Sequence, residues 1–121
     1  MANTPYSLGR LKKRSEFLYV RNGRSKAVGA LLVQMRKNTD ETCDVRVGFT
    51  ASKKVGNAVV RSRAKRHMRE AARAILPLAA TPGNDYVLIA RASITQVTYQ
   101  RLLEDLKKAL NSLHTSGENN P

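Results

Sequence analysis

The sequence predicts an α+β fold: a single-domain α/β sandwich in the order α-β-β-α-β-α, with room for a short extra strand. Three observations carry this. Val45, Val47, Phe49 and Ala51 alternate with Arg46, Gly48, Thr50 and Ser52, the period of two expected of a strand buried on one face. Residues 85–91 form a nearly continuous apolar run suited to a strand covered on both faces. Residues 58–76 and 99–113 repeat apolar side chains at helical spacing.

The elements follow in order. Residues 1–9 are polar, contain Pro5 and are expected to be flexible. Arg10 to Arg21 reads as a short basic helix with Leu11, Phe17, Leu18 and Val20 as its stripe, stopped by Asn22-Gly23. Val28 to Met35 is a β-leaning run; a polar turn at residues 37–41 then leads to the strand from Asp44 to Ala51, and these two strands are expected to form an antiparallel hairpin. Asn57 is a good N-cap for a helix from Ala58 to Leu76, where Pro77 is expected to end it. The strand from Asp85 to Arg91 should be central and parallel to the one from Val45, so that the intervening basic helix is a crossover within one sheet. Thr98 caps a last helix carrying Tyr99, Leu102, Leu103, Leu106, Leu110 and Leu113. One domain thus spans residues 1–114, and the polar stretch 115–121 is expected to be a disordered tail.

Composition narrows function. The chain has 121 residues, 41% of them hydrophobic, and a net charge of +13. Such an imbalance opposes folding by self-repulsion and suits a polyanionic partner, whose bound counterions are released on binding. Residues 1–9 offer no apolar run for a signal peptide, and no stretch approaches a membrane span. Cys43 is alone, which excludes an internal disulfide and fits a reduced, cytoplasmic protein. His67 and His114 are too few for a metal site and read as surface residues.

The helix from Ala58 separates an Ala-rich stripe (Val60, Ala64, Met68, Ala71, Ile75) from a cationic remainder of Arg61, Arg63, Lys65, Arg66, Arg69 and Arg73, opposed only by Glu70. A merely solvated face would mix its signs. Here like charges at i,i+4, such as Arg61/Lys65 and Lys65/Arg69, each cost the helix a few tenths of a kcal/mol, which favours a face shaped for an anion. A membrane-surface helix would set Trp, Phe or Leu opposite its charges, and this one does not. Arginine predominates, suiting bidentate phosphate contacts and stacking on bases. Nucleic acid is the polyanion these residues favour.

The string SKKVGNAVVRSRAKRHMREAAR, Ser52 to Arg73, closely resembles the signature of the bacterial ribonuclease P protein subunit. The resemblance extends to LKKRSEF at 11–17, VRVGFTASKK at 45–54 and DYVLIAR at 85–91. It implies a protein partnered with a large catalytic RNA that removes the 5′ leader of precursor tRNA. In such particles the RNA positions the Mg²⁺ ions and performs the hydrolysis, so the protein carries no catalytic residue and binds no metal alone. It implies no protein partner and no membrane. It also implies an α/β sandwich whose crossover is left-handed, an exception to the usual rule.

Two surfaces carry over from the resemblance. The first, for the catalytic RNA, comprises Lys53, Lys54, Arg61, Ser62, Arg63, Lys65, Arg66, Arg69 and Arg73; Ser62 replaces an Asn of the family pattern, keeping a hydroxyl but losing the amide. The second is a cleft for the precursor-tRNA leader between the first helix and the sheet, with Phe17, Arg21, Gln34, Arg46 and Thr50. Arg21 and Gln34 stand where the family can carry aromatics, so this cleft should rely more on charge and hydrogen bonds than on stacking.

Without the resemblance, other classes compete. A ribosomal or DNA-binding structural protein would explain the charge equally well but does not predict the cleft. A self-sufficient nuclease needs clustered carboxylates or histidines. The acidic residues fall instead in turns (Asp40, Glu41, Asp44) and on the last helix, where Glu104 and Asp105 are expected to pair with Lys107 and Lys108 on its exposed face.

Overall fold

The computed structural model describes residues 8–40 and 42–119, with side chains as far as Thr115. The elements are β1 (Leu8–Arg10), α1 (Arg14–Arg21), β2 (Arg24–Val28), β3 (Leu31–Lys37), β4 (Val45–Ala51), α2 (Ala58–Ala79), β5 (Asn84–Ala90) and α3 (Tyr99–Asn119), with a 3₁₀ turn at Ala92–Gln96 before α3. One five-stranded sheet runs β1-β4-β5-β3-β2. β4 and β5 are parallel neighbours joined by α2, and β5 is central, as the apolar run predicts.

The alternation in β4 divides the sheet's two faces. Val45, Val47, Phe49 and Ala51 join Tyr86, Leu88 and Ala90 of β5 and Leu31, Val33 and Met35 of β3 in the main core, which α2 and α3 cover. The α2 stripe supplies Ala64, Met68, Ala71, Ala72, Ile75 and Leu76, all buried. Small side chains at Ala64, Ala71 and Ala72 let the helix axis approach the sheet. On the other face α1 packs over a smaller cluster of Leu11, Val20 and Val87, with Phe17, Tyr19 and Ile89 half-buried around it.

Both expected caps form. Asn57 Oδ1 accepts from the Val60 N–H at 3.0 Å and Thr98 Oγ1 from the Arg101 N–H at 3.1 Å. Pro77 does not end α2, which continues to Ala79, with the Ala80 N–H donating to the Leu76 carbonyl at 2.9 Å. A proline in the last turn forfeits only one helical bond, a loss the buried Ile75 and Leu76 outweigh.

Several sequence expectations are corrected. The expected hairpin of the third and fourth strands does not form: β3 pairs antiparallel with β2 and β5, while β4 lies between β1 and β5. The true hairpin turns at Gly29-Ala30, inside the run read as one strand from Val28. Gly29 has φ of +55°, and a Cβ there would lie 2.3 Å from an Asp105 carboxylate oxygen, so the turn requires glycine twice over. Leu8 to Arg10, placed partly in a flexible segment and partly in a helix, form β1, whose pairing with β4 outweighs helical propensity; residues 1–7 lie outside the described residues. The backbone of α3 extends to Asn119, into the stretch expected as a tail, and residues 120–121 lie outside the described residues.

Candidate nucleic-acid interface

The capped α2 leads its cationic side away from the core. Ser62, Arg63, Arg66 and Arg73 are exposed, while Arg61, Lys65 and Arg69 are half-buried where their stems lie along the helix flanks. Lys53 and Lys54 are exposed in the turn just before, which is held by buried Val55 and by its N–H donating to the Ser52 carbonyl at 3.0 Å. The nine residues expected to meet a catalytic RNA therefore lie along one helix and its leading turn. Among the described residues none of these cations makes an ion pair. A shallow hollow of about 530 Å³ runs along this side, lined by Ala58, Val59, Ser62, Arg63, Arg66 and Arg69. Val59 is 67% exposed within it, an apolar side chain that the charge pattern gives no reason to select. An apolar shelf ringed by guanidinium groups suits a base or ribose as well as phosphate.

The second surface lies on the α1 side of the sheet. The strand register sets three cross-sheet rows there: Arg36–Asp85–Arg46, Gln34–Val87–Gly48 and Leu32–Ile89–Thr50. Phe17 seats over Gly48, where a Cβ would come within 2.5 Å of its ring carbons Cε2 and Cζ. The glycine gap in the β4 pattern is thus the socket for this ring. Phe17, Gln34 and Thr50 lie half-buried on this one face, and Arg21 is exposed at the end of α1. Tyr19 fixes the helix beyond them: its hydroxyl donates to the Lys37 carbonyl at 2.6 Å, and the Arg36 guanidinium stacks 4.0 Å from its ring centre.

Arg46, expected in the cleft, lies on this face with its guanidinium already engaged. Its Nε and Nη2 donate to both oxygens of Asp85 at 3.0 and 2.8 Å, and its Nη1 donates to Glu16 at 3.2 Å. Asp85 is buried, and these bonds raise the already high pKa of Arg46. Backbone N–H groups of Lys13 and Lys12, then Arg46, hold the Glu16 carboxyl below the usual carboxylate range. The alternation in β4 places Arg46 on the correct face, but it cannot show two carboxylates arriving from α1 and β5.

Two other expectations change. Asp105 is buried, not on the exposed face: it accepts from Arg101 Nε at 3.1 Å and from the Ala30 N–H at 3.4 Å, tying α3 to the β2–β3 turn. His114 is half-buried rather than superficial, its Nε2 lying 2.9 Å from the Tyr86 hydroxyl, which also accepts from the Thr81 N–H at 2.9 Å. Among the described residues no three His, Cys, Asp or Glu side chains gather as a metal-binding group, and no helix is long and apolar enough to cross a membrane.

A family model described as Ribonuclease P matches residues 7–114 of the chain. The chain belongs to the ribonuclease P protein family. The ribonuclease P protein component of Caulobacter vibrioides is 51% identical over 115 residues, covering 93% of this chain and 77% of that one. That of Ruegeria pomeroyi is 53% identical over 106 residues, covering 86% and 85%. Among solved structures, a Staphylococcus aureus RNase P protein mutant with defective mRNA degradation activity superposes with a TM-score of 0.76 at 28% identity, covering 87% of each chain. The RNase P protein from Thermotoga maritima gives 0.69 at 29% identity, covering 80% of this chain and 90% of that one. The family read from the Ser52–Arg73 string is therefore the right one, and the α/β sandwich it implies is the fold observed.

Proposed function

We propose that this chain is the protein subunit of a ribonuclease P particle, binding a large catalytic RNA along α2 and the 5′ leader of precursor tRNA in the cleft between α1 and the sheet. The observation that carries the first half is the run of α2 cations without carboxylate partners, which leaves their charge for a polyanion. The second half rests on Phe17, Gln34 and Thr50 sharing one face, with Phe17 offering part of a ring to a base, an interaction worth about 1–3 kcal/mol in other single-strand binders. The catalytic RNA holds the Mg²⁺ and performs the endonucleolytic step; the protein raises substrate affinity and keeps the leader in line. No protein residue is assigned to the chemistry, and the setting is cytoplasmic.

The test is the salt dependence of RNA binding. Neutralising Arg61, Arg63 and Lys65 together should lower the slope of log affinity against log salt by about 0.7–0.9 for each phosphate no longer neutralised. An unchanged slope would make α2 a solvated face and remove the main support for this reading.

A further inference from the structure

Beside the edge of β4 beyond β1 stand Arg10, Lys12, Arg69 and Arg73, none of which makes an ion pair among the described residues. The β1 ladder ends at the Arg10–Val47 pair, and the Leu11 N–H donates to the Val47 carbonyl at 3.1 Å as its last bond. Backbone groups alternate sides along a strand, so the N–H and C=O of Phe49 face the same edge as those of Val47. No described strand continues there. Two adjoining hollows flank this edge. One, of about 310 Å³, is lined by Arg10, Lys12, Phe17, Phe49 and Arg69 among others. The other, of about 180 Å³, adds Arg73 and shares Arg10, Phe49 and Arg69. Neither is lined by a carboxylate, whereas the hollow around Arg46 contains Glu16, Asp40 and Asp85.

We propose that single-stranded RNA leaving the Phe17 cleft turns across this edge onto α2, with a phosphate held by Arg69, Arg10 and Lys12 and the adjoining base against Phe49. The inference rests on the reading of the Phe17 cleft as the leader site and gives that leader a direction. A strand passing the other way would meet three carboxylates around an arginine already committed to two of them. A strand crossing the β4 edge meets cations and apolar side chains but no carboxylate, together with a backbone N–H facing outward. Arg69 also lines the hollow along α2, which makes it the side chain common to both RNA surfaces. It is a positioning residue for substrate as well as part of the helix dock.

The experiment uses particles reconstituted with the matched catalytic RNA, measuring affinity for precursor tRNA with a long leader and with a truncated one. Assembly with the RNA is measured separately. Arg69→Gln should reduce the long-leader preference by about tenfold, as expected when one charge-assisted bond to phosphate is removed, and the salt slope of that preference by about 0.7. Lys12→Gln should act in the same direction; Lys12 is exposed and only its backbone N–H is needed by Glu16, so the fold is preserved. Lys107→Gln removes the same charge from exposed α3 and should change neither quantity. An unchanged long-to-short ratio in both Arg69→Gln and Lys12→Gln, whether or not assembly weakens, would overturn the edge site and leave Arg69 to the α2 dock alone. A wild-type particle with no long-leader preference would overturn the underlying leader reading, and this site with it.

Discussion

Substituting Gly48 by Ala perturbs the cleft at a single methyl group. Gly48 sits mid-strand without a positive φ, so alanine meets no backbone strain, and its lower unfolded-state entropy contributes about 0.5–1 kcal/mol of stability. Against this, the new Cβ would stand 2.5 Å from two ring carbons of Phe17 and 3.3 Å from Leu11 Cβ. Overpacking of this kind costs about 1–3 kcal/mol, and the half-buried ring can swing outward, which places the net loss near 1 kcal/mol. For a domain of this size that is a fall in Tm of about 4 °C. Phe17→Ala alone should cost about 2 kcal/mol, roughly half the usual value for a fully buried ring. In the double variant the methyl group introduced by Gly48→Ala occupies space the ring has left, so the two losses should fall short of additivity by about 1 kcal/mol. Urea denaturation of the four proteins measures this coupling. Strict additivity would refute the claim that Gly48 is the socket for Phe17.

Two further outcomes follow from the buried polar groups. Asp85→Asn removes the carboxylate that engages Arg46 through two bonds and should destabilise the protein by about 2 kcal/mol in urea, less than for a fully buried pair because Arg46 is 27% exposed; an unaffected midpoint would mean Glu16 alone suffices. Burial holds the His114 imidazole below its ordinary value of 6.5, so the unfolded chain takes up a proton before the folded one does. Stability should therefore be level above pH 7 and fall as the pH drops from about 6.5 through the lower folded value. His114→Gln should abolish the part of that decline due to this residue; an identical decline would place its cause elsewhere.

Local chemistry was legible in the sequence where a side chain acts on its own neighbourhood. Asn57 and Thr98 announce their helices because an N-cap bond spans only three residues. The α2 stripe and the β4 alternation are periodic, and both bury the face they predict. Pairing between distant strands was not legible: nothing in residues 31–37 says that β3 meets β5 and not β4, since either partner satisfies the same backbone groups. β2 escaped notice because Arg24, Ser25 and Lys26 lie on an edge strand that is largely exposed, so no apolar alternation marks it. In the site, the α2 cations were readable from their one-signed run. The engagement of Arg46 was not, because Glu16 and Asp85 lie 30 and 39 residues away in the chain. The role of Gly48 was half-readable: the gap showed in the pattern, and its occupant came from a different helix.

Whether the protein serves a catalytic RNA or cuts RNA itself is decided by precursor-tRNA cleavage in Mg²⁺ with the protein alone, the matched RNA alone, and both together. The protein alone should not cleave, and the reconstituted particle should mature the 5′ end correctly at lower substrate or Mg²⁺ concentration than the RNA alone requires. Reproducible Mg²⁺-dependent cleavage by RNA-free protein, or a particle no better than its RNA, would contradict a role as the subunit of a ribozyme.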